Sequence, residues 1–195
     1  ERMGTAAVRT LLNFVFNTLI DANPTCTYDS TALFAAGHNN DLGASKPLNE
    51  TNLEAAWGLL RKQTGLDGEK LNLVPRILIV HPDQEALANR LVNSELVVAG
   101  GDTTVGVVPA SNFFRGRLQV ITTPYITTTR YYVCADPSQS DTIEIGFYQG
   151  QETPQFFVEA KGSGVEFERD AMRTKTRYIF GGTPLDHRWI VRANV

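Results

Sequence analysis

Val74-Pro75-Arg76-Ile77-Leu78-Ile79-Val80-His81-Pro82-Asp83-Gln84-Glu85-Ala86-Leu87-Ala88-Asn89-Arg90-Leu91-Val92-Asn93-Ser94 reads as a strand running straight into a helix. Pro75 to Val80 is a short apolar run with β-branched residues. His81-Pro82-Asp83 breaks it before Ala86, Leu87, Arg90 and Leu91 take up helical spacing. A dinucleotide or phosphate-loop site at such a junction needs glycines, so that backbone N–H groups can approach an anion. Here a proline that lacks an N–H stands in their place. The unit packs and carries no obvious chemistry.

Upstream, Val8, Leu11, Leu12, Val15, Phe16, Leu19 and Ile20 follow the i, i+3, i+4, i+7 rhythm and predict one long amphipathic helix. Asp21-Ala22-Asn23-Pro24 stops it, because the residue before a proline is pushed out of the α region. From Thr25 to Pro47 the composition is that of a loop, anchored by Leu33-Phe34. A second helix is expected to start at a capping box, Thr51-Asn52-Leu53-Glu54, to bury Leu53, Ala56, Trp57 and Leu60, and to end at Gly65. Gly58 inside it costs about 1 kcal/mol against alanine, which implies a close neighbour at that spot. Downstream, short strands are expected at Val105–Val108, Arg117–Thr122, Arg130–Cys134, Thr142–Tyr148 and Gln155–Ala160, and the last forty residues are again strand-like. The fold class is α+β: one long helix, two medium helices and many short strands.

The 195 residues suffice for one domain or two interleaved lobes, and 42% hydrophobic with 20% charged residues is a soluble, core-forming composition. A net charge of -3 excludes a dedicated nucleic-acid binder, which carries a clear excess of Lys and Arg. With no apolar stretch near the ~20 residues of a membrane helix and no signal-like start, the expectation is a soluble, cytoplasmic chain. Glu1-Arg2-Met3 has no initiator methionine in front of it, so the chain reads as a fragment or a processed product. Cys26 and Cys134 lie far apart and read as buried thiols. His38, His81 and His187 are scattered, so neither a metal nor a cofactor is expected.

Several constellations resolve into bland readings. Gly100-Gly101-Asp102-Thr103-Thr104-Val105-Gly106 lacks the lysine and following helix of a phosphate loop, and Gly162-Ser163-Gly164 lacks the frame of a nucleophile elbow. Asp186-His187 is half of a triad on paper, but adjacent strand residues point to opposite faces, so a surface or interface pair is expected. Asn49-Glu50-Thr51 matches a glycosylation sequon, but Thr51 is read as the helix cap. Arg173, Lys175 and Arg177, with Arg169 upstream, make one strand face basic. That face is either solvated, or in contact with another subunit or a polyanion. Phe113-Phe114 reads as an exposed apolar loop suited to a partner, or as an anchor into the chain's own core. These six residues are the candidate subunit contacts; no catalytic residue is assigned.

The order of motifs resembles tailed-phage major capsid proteins. Those motifs are Leu33-Phe34-Ala35-Ala36-Gly37-His38-Asn39-Asn40, the capped helix near Thr51, Leu73 to Val80 with its helix, Tyr132-Val133-Cys134-Ala135-Asp136-Pro137, Gly164 to Arg169, and Phe180 to Arg188. The nearest likeness is to the Mu-like head subunit group, including prophage forms fused behind a Clp-like prohead protease. The resemblance implies the Hong Kong 97-type capsid fold, with a spine helix and peripheral sheet supporting an axial domain. Residues 1–25 and 161–195 would be peripheral and 26–160 axial, with the N-terminal arm and extended loop of the family absent before Glu1. It further implies a structural subunit of the virion capsid, found in the host cytoplasm during assembly. Its partners would be copies of itself in hexameric and pentameric capsomers, along with portal, scaffold or decoration proteins. DNA would be touched only non-specifically, no membrane would be involved and no cofactor bound. Two other classes remain open: an α+β hydrolase built on Ser163 and His187, and another virion component such as a tail or decoration protein.

Overall fold

The structure, a computed structural model, describes residues 2–98, 109–159 and 173–194. Its helices are α1 (Arg2–Asn13), continued directly by a π-helical segment (Phe14–Asp21), α2 (Glu50–Arg61) and α3 (Pro82–Asn93). The strands are β1 (Pro75–Val80), β2 (Leu96–Val98), β3 (Pro109–Ser111), β4 (Gln119–Thr122), β5 (Arg130–Ala135), β6 (Ile143–Phe147), β7 (Gln155–Val158), β8 (Thr174–Arg177), β9 (Phe180–Pro184) and β10 (Ile190–Asn194). This is a mixed α+β chain. The expected strand at Val105–Val108 and the glycine-rich stretches around Gly101 and Ser163 lie outside the described residues.

The strand-to-helix unit forms as its sequence requires. β1 ends at Val80, and the His81 side chain caps α3 by accepting from the Asp83 N–H at 3.3 Å. Pro82 occupies the first helical turn, where a missing N–H leaves no bond unmade. β1 then sits inside a four-stranded sheet of order β10-β5-β1-β4. It runs parallel to β4 (Leu78↔Val120), which the chain reaches by a crossover containing α3, and antiparallel to β5 (Ile79↔Tyr132). β10 pairs antiparallel with β5 (Val191↔Val133). α2 and α3 pack against this sheet. Leu33, Leu53, Leu60, Leu78, Val80, Tyr132, Val133 and Ile190 form the buried centre, with both cysteine thiols inside it. The remaining strands form three antiparallel pairs, β2–β3, β6–β9 and β7–β8.

The N-terminal helix departs from its expected stripe. Leu19 and Ile20 are buried, but Val8 and Leu12 are exposed, and Ala7 is the buried residue of α1. From Phe14 the hydrogen bonds run i to i+5, which winds more residues into each turn, so a stripe drawn at 3.6 residues rotates away from the packed face. Against this segment lies β9. A side chain on Gly182 would bring its Cβ to 2.6 Å from the Glu144 carbonyl oxygen and 3.2 Å from Leu19, so only glycine permits that approach. Phe14 meets Phe180 edge-on at 5.3 Å.

α2 corrects three expectations. Its N-cap is Asn49, not Thr51: the Asn49 Oδ1 accepts from the Asn52 N–H at 2.8 Å, and Thr51 lies within the helix, exposed. The helix ends at Arg61, before Gly65, because Leu71 N–H bonds back to the Gln63 carbonyl and turns the chain. Gly58 has no close neighbour, since a Cβ there would meet nothing within 4 Å. Gly58→Ala is therefore expected to stabilise the protein by about 0.5–1 kcal/mol, through helix propensity and a less flexible unfolded chain. A urea titration measures this as a higher midpoint at unchanged slope.

Candidate functional site

Asn112 determines which of the two candidate phenylalanines is available. Its side-chain amide donates to the Leu91 and Ser94 carbonyls at 2.6 and 2.9 Å, and its Oδ1 accepts from the Phe114 N–H at 2.9 Å. The turn this locks sends Phe114 into the core, only 2% exposed, and leaves Phe113 outside at 47%. The expectation of a paired exposed contact is thus corrected: Phe113 alone presents itself. It packs edge-on against Trp57 at 5.4 Å, and the Arg117 guanidinium lies 4.1 Å from its ring centre. Trp57, Gly58 and Phe113 line an open groove of about 1020 Å³ beside α2, with Glu50, Glu54, Lys46 and Lys62 on its walls.

The basic strand face also exists, in altered form. β8 pairs with β7 so that Lys175 faces Phe157 across the ladder and Arg177 stands opposite Gln155. Both cations sit over the Phe157 ring, at 5.1 and 5.3 Å, with Arg173 exposed on the same side. The opposite side of this ribbon, carrying Phe156, turns toward α1, where the Phe156 ring tip comes near Gly4. Arg169 lies outside the described residues, as does Ser163.

A third cluster was invisible to sequence spacing. His38, at the end of a single 3-10 turn (Ala36–His38), and His187, in the turn between β9 and β10, stack face to face. Their centroids are 3.8 Å apart and their planes 8° from parallel. His38 Nδ1 meets the Leu33 carbonyl at 3.0 Å and Nε2 meets Asp29 at 2.6 Å. Both partners are acceptors, so the ring that satisfies both is the doubly protonated imidazolium. Asp29 stays ionised, its carboxyl held below the ordinary value by the Thr31 N–H and by His38. On the other ring, the Tyr28 hydroxyl donates to His187 Nδ1. Burial, reinforced by the cationic His38 and by Arg188, holds His187 down to about 4, against the opposing pull of Asp186 and Asp29. His187 is therefore neutral at neutral pH, stacked on a ring whose two nitrogens both face acceptors.

Asp186 and His187 were expected to diverge on a strand. They lie in a turn instead, and Asp186 Oδ1 comes within 3.5 Å of His187 Nδ1. Asp29, His38 and His187 place one ligand atom each within 4.8 Å of one another. Imidazole lone pairs lie in the ring plane, and two parallel planes 3.8 Å apart cannot both contain one ion, so this arrangement does not suit a shared cation. Nor does it suit acyl transfer, because the position next to His187 Nδ1 belongs to a phenol that burial keeps protonated, and the Cys26 thiol is pushed up by burial as well.

The end of the N-terminal helix is fastened through Asp21. Thr127 and Tyr132 hydroxyls donate to its two oxygens at 2.6 and 2.5 Å, and Arg130 bonds its carbonyl at 2.6 Å and its carboxylate at 3.2 Å. Burial alone would raise the Asp21 carboxyl; the two hydroxyls and the guanidinium outweigh it and hold the group below its ordinary value.

Among the described residues no helix is long and apolar enough to cross a membrane. No individual curated protein matches the chain. The sequence model of a family described as phage capsid protein matches residues 1–193, nearly the whole chain. With surfaces for contact and clusters that serve to fasten the fold, and with that match along its length, the chain belongs to the phage capsid protein family and is a structural component of the virion.

Proposed function

We propose that this chain is a major head subunit that self-assembles, through hexameric and pentameric capsomers, into the icosahedral shell around phage DNA, performing no catalytic step. The observation that carries the reading is the separation of the strand pairs β6–β9 and β7–β8, lying along the N-terminal helix, from the four-stranded sheet. That division fits the Hong Kong 97-type arrangement. In this reading the helix and the strands packed on it form the peripheral lobe, and most of residues 26–160 form the axial lobe. β10 joins the axial lobe, because it bonds to β5. Portal, scaffold or decoration proteins and the packaged DNA are further contacts of such a shell. Mild acidity suits it, since a strongly cationic wall would hold the genome by counterion release.

Phe113 and the Lys175–Arg177 face are the contacts of this proposal, with Arg173 beside that face and Arg169, outside the described residues, a further candidate. Negative-stain electron microscopy of the protein produced in bacteria tests it. Closed shells or ring-shaped capsomers are expected, and monomers under every assembly condition would overturn it. The double variant Lys175→Glu/Arg177→Glu is expected to cut the yield of assembled particles by about tenfold, because like charges in a contact are strongly disfavoured. Both side chains are exposed, so its thermal unfolding should stay close to wild type.

A further inference from the structure

The His38–His187 stack joins two distant parts of the chain. One is the loop between the N-terminal helix and α2; the other is the turn that feeds β10 into the sheet. Around the stack the fastening is polar and local. Tyr28 bonds His187, and the Asn40 amide bonds both the His187 carbonyl at 3.1 Å and the Leu33 carbonyl at 2.8 Å. The loop contributes Asp29, Tyr28 and the Cys26 thiol to the surroundings of the two rings. The turn contributes Asp186 and Arg188, themselves ion-paired at 3.2 Å. From the end of α2 only the uncharged Gln63 reaches the pair, donating to the His38 carbonyl at 3.0 Å. One anion, Asp29, is thus directly bonded to a ring, and it serves His38. Asp186 stands 3.5 Å from His187 and is already engaged by Arg188.

We propose that the stacked histidines are a proton-operated clasp. While His187 is neutral, loop 25–40 is fastened to the 185–189 turn; a proton added to His187 puts a charge on the stack against His38, whose nitrogens both bond acceptors, and frees the loop. Protonation has a second local effect. His187 Nδ1 would carry a hydrogen, so it could no longer accept from Tyr28, and the hydroxyl would have to turn from donor to acceptor. Leaving the turn, the loop uncovers what it seals, above all Cys26, which is fully buried and bonded within the loop through Thr31 and Ser30. Cys134, in the central strand β5, stays protected unless the whole sheet opens. The clasp belongs to a single chain and operates whether or not that chain assembles.

The test is thiol labelling with dithiodipyridine, a disulfide reagent that stays reactive in acid, read at each cysteine by mass spectrometry. Going from about pH 7 to about pH 4, the labelling rate of Cys26 is expected to rise about tenfold or more while Cys134 stays protected. His187→Phe keeps a flat ring on the stack and cannot take the proton, so its Cys26 labelling should not change over that range. Acid-driven labelling of Cys26 in His187→Phe equal to wild type, or simultaneous labelling of Cys26 and Cys134, would overturn the clasp. Should His187→Phe not fold, histidine ring resonances of the wild-type protein decide. Titration of His187 in step with shifts of the loop amides supports the proposal, and titration without them refutes it.

Discussion

Replacing Asp21 with alanine is expected to lower the unfolding free energy by about 3 kcal/mol, the low end of what breaking a buried ion pair costs. For a chain of this length that is roughly a 10 °C fall in melting temperature. Three groups lose their acceptor at once: the Tyr132 and Thr127 hydroxyls and part of the Arg130 guanidinium. Arg130 keeps the Asp21 carbonyl at 2.6 Å and Asn194 at 3.0 Å, which is why the low end applies. Asp21→Asn, which retains an acceptor oxygen, should lose about half as much. Acid gives a second readout. The carboxyl lies below its unfolded value, so its contribution is complete above about pH 4 and fades as pH falls through its lower native value. The alanine variant lacks that contribution, so its stability should fall less steeply in this range. If chemical denaturation across pH finds the two curves parallel, Asp21 is not the fastening it is described to be.

Phe114→Ala should cost about 3–5 kcal/mol, the range for emptying a buried aromatic site, because the ring is enclosed by Trp57 and the core. The same change one residue earlier, Phe113→Ala, should cost about 1 kcal/mol or less, for one exposed edge contact with Trp57 and one cation resting on the ring. Urea unfolding of the pair separates them. In an assembly assay the order is expected to invert once folding is accounted for, with Phe113→Ala reducing particle yield while leaving the monomer folded. Equal losses of stability would mean that Asn112 does not divide the two rings as described.

The elements governed by local chemistry could be read in the residues. The strand-to-helix junction at His81-Pro82, the stop at Pro24, the burial of Leu33-Phe34 and the positions of β4 to β7 all follow from runs, breakers and alternation over a few residues. The family resemblance came from the order of such motifs, and the match over residues 1–193 supports it at the level of a capsid protein. What stayed hidden depends on partners distant in the chain or on small geometric choices. Thr51 and Asn49 are both good caps, and the backbone entering from Leu48 favours the earlier one. Phe113 and Phe114 are chemically identical, and the hydrogen bond that the Phe114 N–H donates to the Asn112 side chain separates them. His38 and His187 meet only because β10 pairs with β5 and brings the turn before it over the loop, so no spacing rule could join them. The π-helical segment altered the helical period itself, so a stripe drawn at constant pitch placed Val8 and Leu12 with the packed residues.

β10 carries one more consequence. It is joined on one side to β5, and on the other to loop 40–46, where Leu42 and Lys46 donate to the Arg192 and Asn194 carbonyls and Asp41 holds the Arg192 side chain. Among the described residues its bonding partners on both sides are synthesised earlier, so a nascent chain on the ribosome waits with that seam open until Ile190 to Asn194 emerge. A polypeptide interrupted before Ile190 keeps an unsatisfied edge and a bare flank at Tyr131 and Val133.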